Sequence, residues 1–355
     1  MLFTILFLMI WMAELPMVDG FGRPPPRRKG SEPFFSGPGN EEKYKMVTVP
    51  SSDQIADKLK IHRGSHAPRW VWRSTWRVHG YSLPLLHAMD QARSQDLDYS
   101  LKCLWCKALS GLDTTSPAYD GGLAYDMLPS GTRRILRLPS WLFPRLIHFN
   151  IELRTAYLAQ AVQREVEQFG MRKIRLVTLG AGYDARSVRL LTTGEVQEAW
   201  ELDVAPVVTS KTIMLERLVQ RRHQSLPPLK LPNLLVQDLN DIDGYRKAVS
   251  NIIGSAENTS EWHTIFLLEG VLIYLDDNVP RSLLNSCSDI LRSERVSGSL
   301  VFADLFRELA NFDVGIAGDF YQSMGWDLLY DSWCVKPGLA RHMGIARVEK
   351  WRKYF

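Results

Sequence analysis

Leu176-Val177-Thr178-Leu179-Gly180-Ala181-Gly182-Tyr183-Asp184-Ala185-Arg186 decides the fold. A short apolar run ends in a glycine-rich turn, and a helix-like pattern follows. A parallel α/β sheet presents a nucleotide-like cofactor to a helix N-terminus in this way. Side chains at 180 and 182 would block close backbone approach to a ligand, so glycine is the fitting residue. The turn alone does not choose among nucleotide-like cofactors.

Outward from the turn, strand and helix patterns alternate. Strands are expected at Ile174–Leu179, Val196–Leu202, Asn233–Val236, Thr264–Leu268 and Ser299–Ala303. Helices are expected between them, at Asp184–Leu191, Ala205–Arg222, Tyr245–Ile253 and Asn278–Arg292. An amphipathic helix over Ile147–Phe169, stopped by Gly170, precedes the first strand. Helical patterns at Leu305–Asn311 and Ala317–Met324 and strands at Trp326–Trp333 and Ile345–Val348 complete the reading. The fold class is α/β: a doubly wound, mostly parallel sheet of the seven-stranded type, with helices on both faces.

The 355 residues accommodate more than this sheet. Residues 1–20 open with the apolar run Leu2–Ala13, which is too short for a comfortable membrane span and lacks a basic residue ahead of it. It reads as a secretory signal or short anchor, as an organelle-targeting leader, or as sequence ahead of a start at Met46. Localisation is accordingly either cytoplasmic or set by this segment. Asn258-Thr259-Ser260 is a glycosylation sequon only if the chain enters the secretory pathway. Residues 21–50 are a Pro/Gly-rich linker. Residues 51–145 form an aromatic-rich extension with a helical pattern over Leu83–Lys107, expected to cover an acceptor site, and 146–355 form the sheet domain.

Hydrophobic residues make up 45% and charged residues 23%, as in folded soluble proteins, and the net charge of +4 is too small to argue for nucleic acid. Cys103, Cys106, Cys287 and Cys334 are too sparse for a disulfide scaffold. Cys103-Leu-Trp-Cys106 has no second Cys/His pair at zinc spacing and reads as two small apolar residues on a helix, so no metal is expected.

Gly180-x-Gly182-x-x-Ala185 also fits a dinucleotide fingerprint, which keeps a nicotinamide cofactor in play. Glu201 and Asp203 end the second strand on one face, and Asp203 stands nearer the carboxyl edge, where ribose hydroxyls are bound in either fold. Asp238-Leu239 follows the third strand. An acid there accepts an adenine amino group while the leucine packs on the ring. Glu269 ends the apolar fourth strand, an expensive place for a carboxylate unless it meets a cation or several donors. The sulfonium and amino groups of S-adenosylmethionine supply such a cation, and a nicotinamide dinucleotide gives no equal reason for it.

Leu179-Gly-Ala-Gly-Tyr-Asp184, Glu201-Leu-Asp203, Asp238-Leu239, Glu269-Gly-Val-Leu-Ile-Tyr-Leu275 and Arg154-Thr155 together resemble the leucine carboxyl methyltransferase family, a branch of the class I S-adenosylmethionine-dependent methyltransferases. The resemblance implies roles. Arg154 holds the methionyl carboxylate, and Gly180 and Gly182 lie under the methionine moiety. Asp203 takes the ribose, Asp238 and Leu239 take the adenine, and Glu269 lines the same pocket. The family's Gly-Tyr-x-x-Asp-Pro element is not intact in Lys107–Asp120, so the resemblance is stronger for the cofactor than for the acceptor.

The expected reaction is methyl transfer to an oxygen, foremost a carboxylate at a protein C-terminus. A small-molecule O-methyltransferase, an NAD(P)-dependent oxidoreductase and a non-catalytic cofactor-binding module are the alternatives. A carboxylate is ionised near neutral pH and needs no base, whereas a hydroxyl does. His62, His66, His79, His87 and His148 precede the sheet, and no spacing singles one out as a base. Lys107, Arg133 and Arg134 are weak candidates for binding a carboxylate.

Overall fold

The computed structural model describes residues 100, 103–108, 111, 118–128 and 133, and from 149 to 348 all but 224–227, 256–257, 307–308, 310–312 and 335–341. All of these lie in the unit Val49–Phe355. The expected leader and linker, Trp70, Trp72, Trp76, Trp141 and the five histidines named above lie outside the described residues.

The strands are β1 (Lys173–Leu179), β2 (Glu198–Asp203), β3 (Asn233–Val236), β4 (Trp262–Glu269), β5 (Ser297–Asp304), β6 (Asp327–Leu328) and β7 (His342–Arg347). They form one sheet in the order β3-β2-β1-β4-β5-β7-β6. β1 to β5 are parallel, and β7 runs antiparallel between β5 and β6. This is the doubly wound arrangement expected, with the strand order reversing between β1 and β4.

The longer helices are α1 (Phe149–Phe169), α2 (Arg186–Thr193), α3 (Ala205–Arg221), α4 (Ile242–Gly254), α5 (Val279–Ser293) and α6 (Val314–Gln322). Side-chain alternation along the buried strands builds two apolar layers. Ile265 and Leu267 of β4 pack with Leu158, Ala161 and Val162 of α1. Phe266 and Leu268 point the other way, toward Tyr245, Leu283 and Leu284 of α4 and α5. Local chemistry sets the helix starts. Asp241 accepts a hydrogen bond from the Gly244 amide, and Asp313 caps Gly315 and Ile316 in the same way. Pro206 sits in the first turn of α3, where its missing N–H leaves no gap in the ladder.

Two expectations change. The described residues at 305, 306 and 309 are not helical. Phe306 and Leu309 are buried in the core, and their i, i+3 spacing imitates a helix although neither residue is helical. The strand expected over Trp326–Trp333 shrinks to Asp327–Leu328 followed by a 3₁₀ turn at Tyr330–Ser332. Trp326 is fully buried and donates its indole N–H to the Leu284 carbonyl at 2.9 Å. The sequon at Asn258 lies on an exposed 3₁₀ turn before β4. No described helix is long and apolar enough to cross a membrane.

At the amino-terminal edge of the sheet His263 is buried and stacks on Phe169 with ring centroids 3.7 Å apart. Its ring nitrogens lie 2.9 Å from the hydroxyls of Ser297 and Ser299. Burial, reinforced by the positive charges of Arg347 and Arg172, pushes its pKa down to about 3. The folded state therefore favours neutral His263. Its contribution to stability is present above the unfolded value near 6.5 and is lost as pH falls toward 3. Urea denaturation between pH 7 and 4 is expected to show a loss of about 1.4 kcal/mol per pH unit from this group. The slope should be shallower in His263→Gln. An identical slope in both proteins would show that His263 is not its source.

Candidate active site

The reversal of strand order leaves a crevice beyond the carboxyl ends of β1 and β4, the place where open α/β sheets bind ligands. A pocket of about 440 Å³ opens there. Arg154, Gly180, Gly182, Asp203, Asp238, Leu239 and Glu269, the residues singled out in the sequence, all line it.

The turn after β1 adopts φ of +64° at Gly180 and +48° at Gly182, a region that L side chains rarely occupy. A Cβ on Gly180 would lie 2.5 Å from Val271 Cγ2. Glycine is needed at 180 because the turn passes under the loop that follows β4, in addition to any approach by a ligand. A Cβ on Gly270 would meet Arg154 Nη1 at 2.9 Å, so this glycine makes room for the guanidinium.

One end of the pocket is ionic. Lys107 Nζ lies 2.7 Å from Asp184 Oδ2 and 2.9 Å from Glu269 Oε2. Arg154 donates from Nε to Glu269 Oε1 at 2.9 Å and from Nη2 to Cys103 Sγ at 3.1 Å. Arg186 Nη2 lies 3.3 Å from both carboxylates. Burial pushes the Glu269 carboxyl up, but Lys107, Arg154 and Arg186 outweigh it and hold the group below its ordinary range. Asp184 is also driven down: burial opposes ionisation, and Arg186 and Lys107 overcome it. Burial likewise works against the charge on Lys107, yet Asp184 and Glu269 raise its pKa. Glu269 thus meets cations, as its cost demands, and the protein supplies them.

The other end is apolar with acceptors at its rim. Asp203 Oδ2 accepts from the Gly182 amide at 2.7 Å and Oδ1 from the Val204 amide at 2.8 Å. A carboxylate offers about four acceptor sites, so these amides leave lone pairs available for two adjacent hydroxyls. Val204, Pro206, Val207 and the buried Leu239 give the pocket apolar lining, and Asp238 and Asn240 line it as well. Glu201 does not join Asp203. It is buried against Lys211 at 2.6 Å and holds α3 to the sheet.

Sequence reasoning left Asp184, Cys103 and Tyr274 unassigned, and they line the pocket too. Asp184 stood within the quoted motif as an acid after the glycine turn, the one signal that could have found it. Of the weak carboxylate-binding candidates, Lys107 is in the pocket wall, whereas Arg133 is engaged by Asp126 at 3.4 Å. Arg134 is outside the described residues. Cys103 and Cys106 form no disulfide and are buried on a short helical stretch, as the apolar reading of the pair implies.

Apolar lining, a carboxylate for vicinal hydroxyls and a mixed-charge cluster fit the adenine, ribose and zwitterionic methionine of S-adenosylmethionine. With the seven-stranded sheet, they define an S-adenosylmethionine-dependent methyltransferase. Residues 130–288, just under half of the chain, match the leucine carboxyl methyltransferase family model. Among curated proteins none matches. Solved structures resemble the fold distantly. Magnesium protoporphyrin IX methyltransferase from Synechocystis PCC 6803 is 12% identical, with 56% of this chain and 82% of that one covered and a TM-score of 0.35. An O-methyltransferase family protein from Burkholderia thailandensis is 12% identical, with coverage of 80% and 94% and a TM-score of 0.33.

Removing one member of the ionic end leaves its partners buried and uncompensated. Glu269→Gln is expected to cost about 3–5 kcal/mol in urea denaturation. A loss within about 0.5 kcal/mol, typical of a plain surface substitution, would mean that the cluster does not hold the pocket together.

Proposed function

We propose that the protein transfers the methyl group of S-adenosylmethionine to a carboxylate oxygen, as the name of the matching family suggests. One observation supports this acceptor class most directly: neither carboxylate of the ionic end of the pocket is placed as a general base. Asp184 and Glu269 are tied up by Lys107, Arg154 and Arg186, and both are held in the weakly basic, ionised form. No described histidine lines the pocket. A hydroxyl acceptor would have to lose a proton to such a base. A carboxylate acceptor is already ionised at neutral pH.

The bound cofactor supplies an electrophilic methyl group on a sulfonium. The chain's residues hold and align. Arg154 and Lys107 present their N–H groups to the methionyl carboxylate, and Glu269 accepts from the amino group. Asp203 orients the ribose, while Asp238 and Leu239 fix the adenine. Bound there, the cofactor would supply its methyl group to the acceptor oxygen, and the electron pair of the broken S–C bond would stay on sulfur. Rate comes from alignment and exclusion of water, since no proton moves.

Incubation with methyl-labelled cofactor and peptides ending in a free leucine carboxylate should give alkali-labile methyl ester. The C-terminally amidated peptide should give none. Small carboxylic acids tested in parallel distinguish a protein terminus from a free acid. Alkali-stable label on a hydroxyl acceptor, with none on any carboxylate, would contradict the proposal.

A further inference from the structure

The Lys107–Asp184 pair has a second side. Both residues also line a cavity of about 30 Å³, together with Asp120, Thr155, Arg186 and Arg189. Arg186 and Arg189 do not line the cofactor pocket, so the ion pair is a partition between the two spaces. Arg186 is only 6% exposed. Its Nη2 is committed to Asp184 and Glu269, but its Nη1 is buried and meets no acceptor among the described residues. The guanidinium is a rigid planar fork, so Nη1 cannot turn toward those carboxylates without withdrawing Nη2. A buried charged donor without an acceptor is costly and calls for one.

The neighbouring groups do not provide it. Lys107 is a donor itself, and Arg189 is paired with Glu195 at 3.1 Å. Thr155 donates its hydroxyl proton to the Ile151 carbonyl at 2.6 Å. Asp120 is the remaining acid in the wall; its oxygens accept from the amides of Gly122 at 2.8 Å and Ala124 at 2.9 Å, and neither is bonded to Arg186 Nη1. Size limits the ligand. A water-sized sphere occupies roughly 10–15 Å³ on this measure, so the cavity takes about two. That suits a halide or the oxygens of formate and is too small for phosphate or an amino acid.

We propose that this cavity is a binding site for one small monovalent anion, of halide or formate size, held by Arg186 Nη1 behind the partition of the cofactor pocket. The site does not depend on which acceptor is methylated, so its failure and failure of the carboxylate assignment are separable.

Crystals of the full chain soaked in bromide should show an anomalous peak in contact with Arg186 Nη1. Formate should displace it. In solution, replacing gluconate by chloride at equal ionic strength should raise the thermal midpoint by about 2–4 °C once the anion is several-fold above its dissociation constant. Arg186→Lys keeps the charge but loses the fork, and should abolish the chloride-specific rise. If this variant does not fold, the bromide peak in the unaltered protein decides. A water instead of bromide at Nη1, or the same chloride-specific rise in folded Arg186→Lys, would overturn the proposal.

Discussion

Glu269, at the carboxyl end of a strand whose six inner residues are buried, is the constraint on which the site depends. An isolated carboxylate there would be too costly to ionise. Lys107, Arg154 and Arg186 reach it from the helical stretch at 103–108, from α1 and from α2, and Asp184 from the glycine turn closes the group. Lys107 and Glu269 are 162 residues apart in sequence. Each ion pair recovers part of the desolvation cost only if its geometry holds, so the cluster ties the described part of the extension to the sheet. A buried pair of this kind is worth less as stabilisation than as a requirement. Removing one partner costs more than the pair contributes.

The same constraint shapes the chemistry. Carboxylates already paired with guanidinium and ammonium groups are poor proton acceptors. They are good fixed charges, and they hold Lys107 and Arg154 in the pocket wall. The arrangement suits a reaction in which a charged cofactor must be held still and no proton has to be moved. At the opposite end, Asp203 is held by the amides of Gly182 and Val204, so its orientation is set before any ligand arrives. Preorganised acceptors of this type need little rearrangement on binding.

Much of this was legible in the sequence because the chemistry sits at strand ends. Gly180, Asp203, Asp238 and Glu269 each follow a short apolar run, and a parallel sheet brings such positions to one edge whatever their separation. Arg154 was readable through the family resemblance. The partners of Glu269 were not. Periodicity identifies a buried acid, but it does not show whether the compensating cation belongs to a ligand or to the chain. Arg186 stood in the quoted motif without an assigned role, and Lys107, at the end of the helical pattern over Leu83–Lys107, was one of three weak carboxylate-binding candidates. The non-helical residues 305, 306 and 309 mark the opposite error, since apolar spacing there reflects burial of Phe306 and Leu309 without a helix.

The central claim is that the crevice between β1 and β4 is a methionine-derived cofactor pocket and not a dinucleotide pocket. Calorimetric titration of the full chain with S-adenosylmethionine, S-adenosylhomocysteine and NADH tests it directly. The account predicts one equivalent of each methionine-derived ligand bound, at least tenfold weaker in Asp203→Ala, which corresponds to about 1.4 kcal/mol, and no binding of NADH. Binding of NADH without binding of S-adenosylmethionine would contradict it.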